Sequence, residues 1–229
     1  MKKFTLISLV FLLVFCIAVS TCMAEGKLTV VSKNAIIYYG KDSGVLVGKV
    51  ENTGDEPIYY DNGKLVIFSE DDDILVTENY VSSCPDSILL QPGESAYFYE
   101  FLWSSPLKNA KIGDVKFSVA SDTRGYKYDQ LPASAEIEMP ASDSYNYVNV
   151  TFTNTTDEVI YGVYVVSAMT DADDNVIFVE RNSYNNLGVH PGSTVTLKMY
   201  IDSDLINYYE SNNIRPTGVD ARIYYNARR

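Results

Sequence analysis

The chain holds a single histidine, His190, in the sequence HPGS. A Ser–His or Cys–His nucleophile pair would have to use it, and no elbow of the type G-x-S-x-G accompanies it. His190 therefore reads as a solvated turn residue, and no residue is assigned as catalytic. Tetrahedral zinc needs four N or S ligands. One histidine and three cysteines, two of them (Cys16 and Cys22) in the leader-like segment 1–24, do not supply them. No cofactor is expected. Oxygen donors are better represented: DADDN places Asp171, Asp173 and Asn175 at alternate positions, as the start of a calcium loop does. The sixth position is Val176 where the sharp turn needs glycine, and the twelfth is Asn182 instead of a bidentate glutamate. The EF-hand pattern fails. Asp171, Asp173 and Asn175 stay as calcium candidates in a looser carboxylate site, with EDDD (70–73) as their counterpart, against a plain solvated hairpin.

Tyrosine is the overrepresented residue, with 19 copies, many adjacent, as in Tyr38–Tyr39, Tyr59–Tyr60 and Tyr224–Tyr225. Neighbours in a strand point to opposite faces, so each such pair sends one ring to the core and one outward. An outward ring offers a rigid face with a polar tip for stacking on sugar or peptide. The competing reading is that tyrosine simply covers strand faces well. The lone tryptophan, Trp103, is expected in a core or between strands. Cys84, in SSCPD beside Pro85, is expected in a loop.

The N-terminus reads as a secretory signal peptide over residues 1–24. Lys2 and Lys3 precede an apolar run from Phe4 to Val19, and small residues follow in STCMAEG. A cut after Ala24 fits. VSTC (19–22) resembles the lipobox of bacterial lipoproteins, which makes Cys22 the lipidation candidate; with Thr21 before it, plain cleavage is the other route. The expected location is secreted or cell-surface, touching a membrane only through the leader or a lipid on Cys22. The formal net charge is −12, and without the two leader lysines 16 basic side chains face 30 acidic ones, giving −14. Such a chain repels phosphate backbones, so nucleic acid is not an expected partner. After the cut only Cys84 remains, so no intramolecular disulfide can form and apolar cores must carry stability.

Two phrases fix the architecture. NTGDEPIY (52–59) recurs as NTTDEVIY (154–161), and ILLQPGES (88–95) recurs as LGVHPGST (187–194). Alternating apolar and polar residues precede each first phrase, and acidic turns flanked by strands, EDDD and DADDN, follow it. The repeated unit is about 100 residues, the size of an independent domain. Seven or so short strands per unit, with turn signals every 8–12 residues, read as an antiparallel sandwich of immunoglobulin type. The expected fold is all-β: two tandem immunoglobulin-like antiparallel β-sandwich domains, 25–129 and 130–229, with a short linker near YDQLPAS (128–134). The best helix candidate is SDLINYYESN (203–212), followed by SPLKNA (105–110).

GKVENTGDEPIYY, LVIFSEDDD and LLQPGESAYF together resemble the FxLYD domain of exported bacterial and archaeal proteins. The signature places fall on Leu65, Ile67, Phe68 and Ser69 in the first half, and on Ser167, Met169, Thr170 and Asp171 in the second. The resemblance implies an immunoglobulin-like sandwich of unassigned biochemical role. The functional expectation is an exported, non-enzymatic cell-surface or secreted interaction or structural protein with a protein or glycan partner outside the cell. Its alternative is a ligand-binding module for carbohydrate, peptide or calcium, using surface tyrosines and acidic loops.

Overall fold

The computed structural model describes residues 25–139 and 145–225; the expected leader and Cys22 lie outside the described residues. The first half contains β1 (Leu28–Ile37), β2 (Ser43–Asn52), β3 (Ile58–Ser69), β4 (Ile74–Cys84), β5 (Ile88–Leu90), β6 (Ser95–Trp103) and β7 (Ile112–Asp122). The second contains β8 (Asp129–Leu131), β9 (Ala133–Glu138), β10 (Asn146–Thr153), β11 (Val163–Thr170), β12 (Val176–Tyr184), β13 (Thr194–Ile201), α1 (Ser203–Asn212) and β14 (Gly218–Tyr225). The fold is an antiparallel all-β arrangement of two sandwiches with the same wiring. The layer β1-β2-β6 corresponds to β9-β10-β13, and β4-β3-β7 corresponds to β12-β11-β14. In the first half β4 joins both layers, pairing with β3 along most of its length and with β6 at Ser83 and Cys84. The backbone of Tyr126 still bonds Ser87 and Leu89 of the first sandwich, while β8 already pairs with β14 of the second.

The helix expected at 203–212 forms there. Asp202 caps it by accepting from the Asp204 N–H, and Asn213 ends it in the left-handed conformation at φ 54°. Leu205 and Tyr209, four residues apart, bury one face, and Tyr209 Oη donates to the Ile177 carbonyl at 2.7 Å. At the matching place in the first half only a 3-10 turn forms, over Ser105–Leu107.

The repeated phrase is explained by a buried amide. Asn52, fully buried, donates from Nδ2 to the carbonyls of Glu56 (2.8 Å) and Leu90 (3.0 Å). Its Oδ1 accepts from the N–H groups of Gly54 (3.0 Å) and Lys27 (3.2 Å). Asn154 repeats this: Nδ2 donates to the carbonyls of Glu158 and Val189, both at 2.8 Å, and Oδ1 accepts from the N–H and hydroxyl of Thr156. The backbone of each asparagine also closes on the Pro-Gly turn, Asn52 to Glu94 and Gly93, Asn154 to Ser193 and Gly192. Those turns need glycine, because Gly93 and Gly192 sit at φ 80° and 74°. Each half is thus knotted at one end by an asparagine whose donor and acceptor sites are all used. Asn154 heads an N-x-T sequon, yet its amide is committed inside the knot.

The acidic hairpins repeat as well. Ser69 Oγ accepts from the N–H groups of Asp71 and Asp73, and Asp171 Oδ1 accepts from those of Asp173 and Asn175. Ser69 and Asp171, at matching places in the two halves, are both hairpin caps.

The layer β1-β2-β6 is buried on both sides. Leu46, Val50, Phe98 and Leu102 face the first sandwich's own core, where Phe98 meets Phe117 of β7 at 4.5 Å between centroids. The opposite face carries the cross-strand rows Ile36–Val45–Phe101, Asn34–Val47–Tyr99 and Ser32–Lys49–Tyr97. The second sandwich covers that face with its β12-β11-β14 layer. Tyr97 Oη donates to Asp220 at 2.8 Å, the Arg222 guanidinium lies 4.6 Å over the Tyr97 ring, and Arg222 Nη2 donates to Ser95 Oγ at 3.0 Å. The Val176 N–H donates to Ser32 Oγ, Arg181 pairs with Asp86 at 3.3 Å, and Lys41 pairs with Asp204. Tyr38, Tyr97 and Tyr99, outward rings from the viewpoint of one sandwich, are spent on this contact. A fully buried valine contributes about 1.5–3 kcal/mol, so Val45 and Val47 alone make the interface substantial.

Asn52→Ala and Asn154→Ala each strand two carbonyls and their partner donors in a dry site. With each unsatisfied buried group costing about 1–3 kcal/mol, urea titration is expected to show a loss of about 3–5 kcal/mol for either variant. Unchanged midpoints would mean that the knots are not structural.

Candidate functional site: an aromatic cleft between the sandwiches

Where the two sandwiches diverge at one end of their contact, a cavity of about 120 Å³ opens to solvent. Tyr38, Tyr99 and Phe101 line it from the first sandwich, and Glu180, Tyr200 and Asp202 from the second. Val45, Val47 and Phe178 make its apolar floor. The placement follows from strand period: Tyr97, Tyr99, Phe101 and Trp103 share one face of β6, so the row that seals the interface at Tyr97 emerges into the cleft at Phe101.

Exposed rings continue on both sides of the opening. On one, Phe101 is 46% exposed and Trp103 73%, with the indole Nε1 donating to Asp42 at 3.2 Å. On the other, Tyr200 (43%) meets Tyr145 (69%) at 5.8 Å and Tyr147 at 6.1 Å between ring centroids, both edge-on. Lys198 Nζ lies 4.6 Å over the Tyr147 ring. Trp103 is therefore a surface residue and not the core or inter-strand residue expected from its type. The interface consumes the even-handed alternation of β6 only as far as the second sandwich reaches, and Trp103 lies beyond that reach.

The electrostatics of the cleft are acidic. Burial pushes the Glu180 carboxyl from its ordinary 4.5 up to about 7, with neighbouring Arg181 acting the other way. Burial, and then Glu180, raise the Tyr99 hydroxyl to about 12, and burial followed by Asp202 raises Tyr38. Glu180 accepts no hydrogen bond from any described residue. A carboxyl shifted by desolvation inside a cleft is a mark of a functional position. Neither Glu180 nor Asp202 stands out in the sequence, because their neighbours come from strands more than 75 residues away.

The residues singled out from sequence are dispersed. His190 is exposed at the Pro-Gly turn of the second knot, where its carbonyl accepts from Ser193. Asp171, Asp173 and Asn175 lie on the hairpin between β11 and β12, where Asp171 Oδ1 takes two backbone N–H groups and its Oδ2 takes the Asn175 side-chain amide at 3.2 Å. Among the described residues, no group of three or more His, Cys, Asp or Glu side chains is placed to hold a metal ion. Cys84 is not in a loop. It ends β4, fully buried, and burial pushes its thiol up to about 12.

No family model matches the chain, and no curated protein matches it. Among solved structures, the crystal structure of red sea bream transglutaminase matches over 78% of this chain and 27% of that one, at 9% identity and a TM-score of 0.23. The chain thus spans about a quarter of the length of that protein, and a superposition so loose assigns neither fold nor activity.

Two measurements follow from these burials. In a chain beginning at Glu25, maleimide is expected to label Cys84 only after denaturation, and fast labelling of the folded protein would contradict its placement. For Glu180, the folded state keeps a proton between the ordinary glutamate range and about pH 7 that the unfolded chain has lost. Its contribution to stability therefore falls as pH rises through that window and is flat on either side. Glu180→Gln is expected to melt higher than the unsubstituted protein at pH 8, with the gap closing toward pH 4. A pH-independent gap would refute the buried-carboxyl assignment.

Proposed function

We propose that the protein is an exported interaction module, secreted or held at the cell surface, that engages an extracellular protein or glycan partner through the aromatic strip flanking the cleft. The observation that carries this reading is the continuity of exposed rings, Trp103 and Phe101 on one sandwich with Tyr200 and Tyr145 on the other, across an acidic cavity. Large rings held on strands lose little freedom on binding and stack on sugar faces or peptide backbones. A contiguous exposed apolar patch of this kind marks recognition surfaces. The strongly acidic surface disfavours polyanions and speeds encounter with neutral or cationic partners. The leader-like segment 1–24 and the resemblance to FxLYD domains support an extracytoplasmic location. No step of bond chemistry is assigned to the chain.

Glycan and peptide arrays probed with the chain from Glu25 test this. Trp103→Ala and Tyr145→Ala, both surface changes, are expected to weaken a hit about tenfold each, in line with roughly 0.5–1.5 kcal/mol per aromatic contact beyond buried area. Binding that survives both changes, and is lost instead on altering the 171–175 hairpin, would move the site away from the strip.

A further inference from the structure

We propose that the cavity between the sandwiches is a binding site for an alkylammonium head group, with Tyr38, Tyr99, Phe101 and Tyr200 as its aromatic walls and Glu180 and Asp202 as counter-charges. This deepens the interaction reading above, and rests on it, by naming what the centre of the strip takes.

Three observations lead there. The first is size. A cavity of about 120 Å³ is of small-molecule size, a little below the roughly 150 Å³ of a cavity that takes one benzene ring. That suits one ammonium group with its adjoining methyl or methylene carbons. The second is wall chemistry: aromatic rings attract cations electrostatically through their faces, most strongly where water is excluded. The third is unanswered charge. Glu180 accepts no hydrogen bond from any described residue, and the nearby cations are occupied, Arg181 with Asp86 and Lys41 with Asp204. An anionic head group would meet two carboxylates, and a neutral apolar one would leave Glu180 desolvated and unpaired. A cation from solution answers both.

The charged and titratable groups around Glu180 are Tyr38 and Tyr99 across the interface, Tyr200 and Asp202 at the end of β13, Arg181 and Tyr184 on its own strand, and Cys84 on β4. Burial raises the hydroxyls of Tyr38, Tyr99 and Tyr184 and the Cys84 thiol away from neutrality, and Arg181 stays charged. Protonation of Glu180 removes one counter-charge, so cation binding weakens as pH falls from 8 to 6.

The test uses the chain from Glu25 to Arg229 in NMR titrations with three probes: tetramethylammonium, Nα-acetyl-lysine methylamide, and uncharged Nα-acetyl-norleucine methylamide. At least one of the two cations is expected to saturate a single site whose shifts map to Tyr99, Phe101 and Tyr200, while norleucine does not. Saturation by tetramethylammonium alone identifies a free quaternary cation as the source; saturation by lysine identifies a polypeptide side chain. Glu180→Gln is expected to weaken the cation roughly tenfold, the factor of about one pKa unit of charge interaction, and to flatten its pH dependence. Glu136→Gln, on β9 outside the cleft, leaves both unchanged. Norleucine binding as tightly as lysine, an unaltered Glu180→Gln, or no saturation by either cation overturns the inference. Array hits that still depend on Trp103 and Tyr145 would then leave the wider interaction reading standing.

Discussion

The constraint on which the rest depends is the two-sided burial of the β1-β2-β6 layer. A sheet in an ordinary sandwich shows one face to its own core and the other to water. Here Leu46 and Phe98 face inward while Val45, Val47 and Tyr97, on the other side, are also shut off from solvent. Leaving that second face wet would expose a contiguous band of valine and tyrosine. The second sandwich removes it from water, and several polar atoms caught in the contact are matched: Tyr97 with Asp220, Arg222 with Ser95, Ser32 with the Val176 amide. The cleft exists because this contact holds the two bodies in one relation. Its walls come from both, and neither sandwich alone encloses it.

Within each half, a different device sets the ends of the strands. Asn52 and Asn154 tie the turns after β2 and β10 to the Pro-Gly turns before β6 and β13, using bonds that water cannot replace once the site is dry. The halves differ around this shared knot. The first closes its hairpin with Ser69 and the second with Asp171, and the 3-10 turn of the first becomes α1 in the second. The enlargement matters to the site, since Asp202 caps that helix and Leu205 on its first turn lines the cleft.

Much of the fold was readable from residue order because it rests on local signals. Asn-Thr turns, Pro-Gly turns and the acidic hairpins each act over a few residues, and the strand period acts over eight. The helix at 203–212 is also local, closed at its ends by Asp202 and Asn213. The site was not readable, because it is built by contact between distant strands. Alternation in β2 says that Val45 and Leu46 point oppositely; it does not say that both are buried. Strand period says that one ring of the Tyr38–Tyr39 pair points outward; it does not say that the second sandwich, from residues more than 75 positions further on, covers Tyr38, Tyr97 and Tyr99. Trp103 and Cys84 were misplaced because residue type was weighed without that neighbour: the indole lies past its edge, and the thiol ends a strand closed in by it. Glu180 carries no motif at all.

The account stands on the two sandwiches behaving as one cooperative body. Scanning calorimetry of the chain from Glu25 measures this directly. The buried face of β2 and β6 predicts a single unfolding transition whose calorimetric and van't Hoff enthalpies agree. Two separable transitions, each with the enthalpy of one sandwich, would mean that the interface contributes little and that the cleft is not a fixed feature of the molecule.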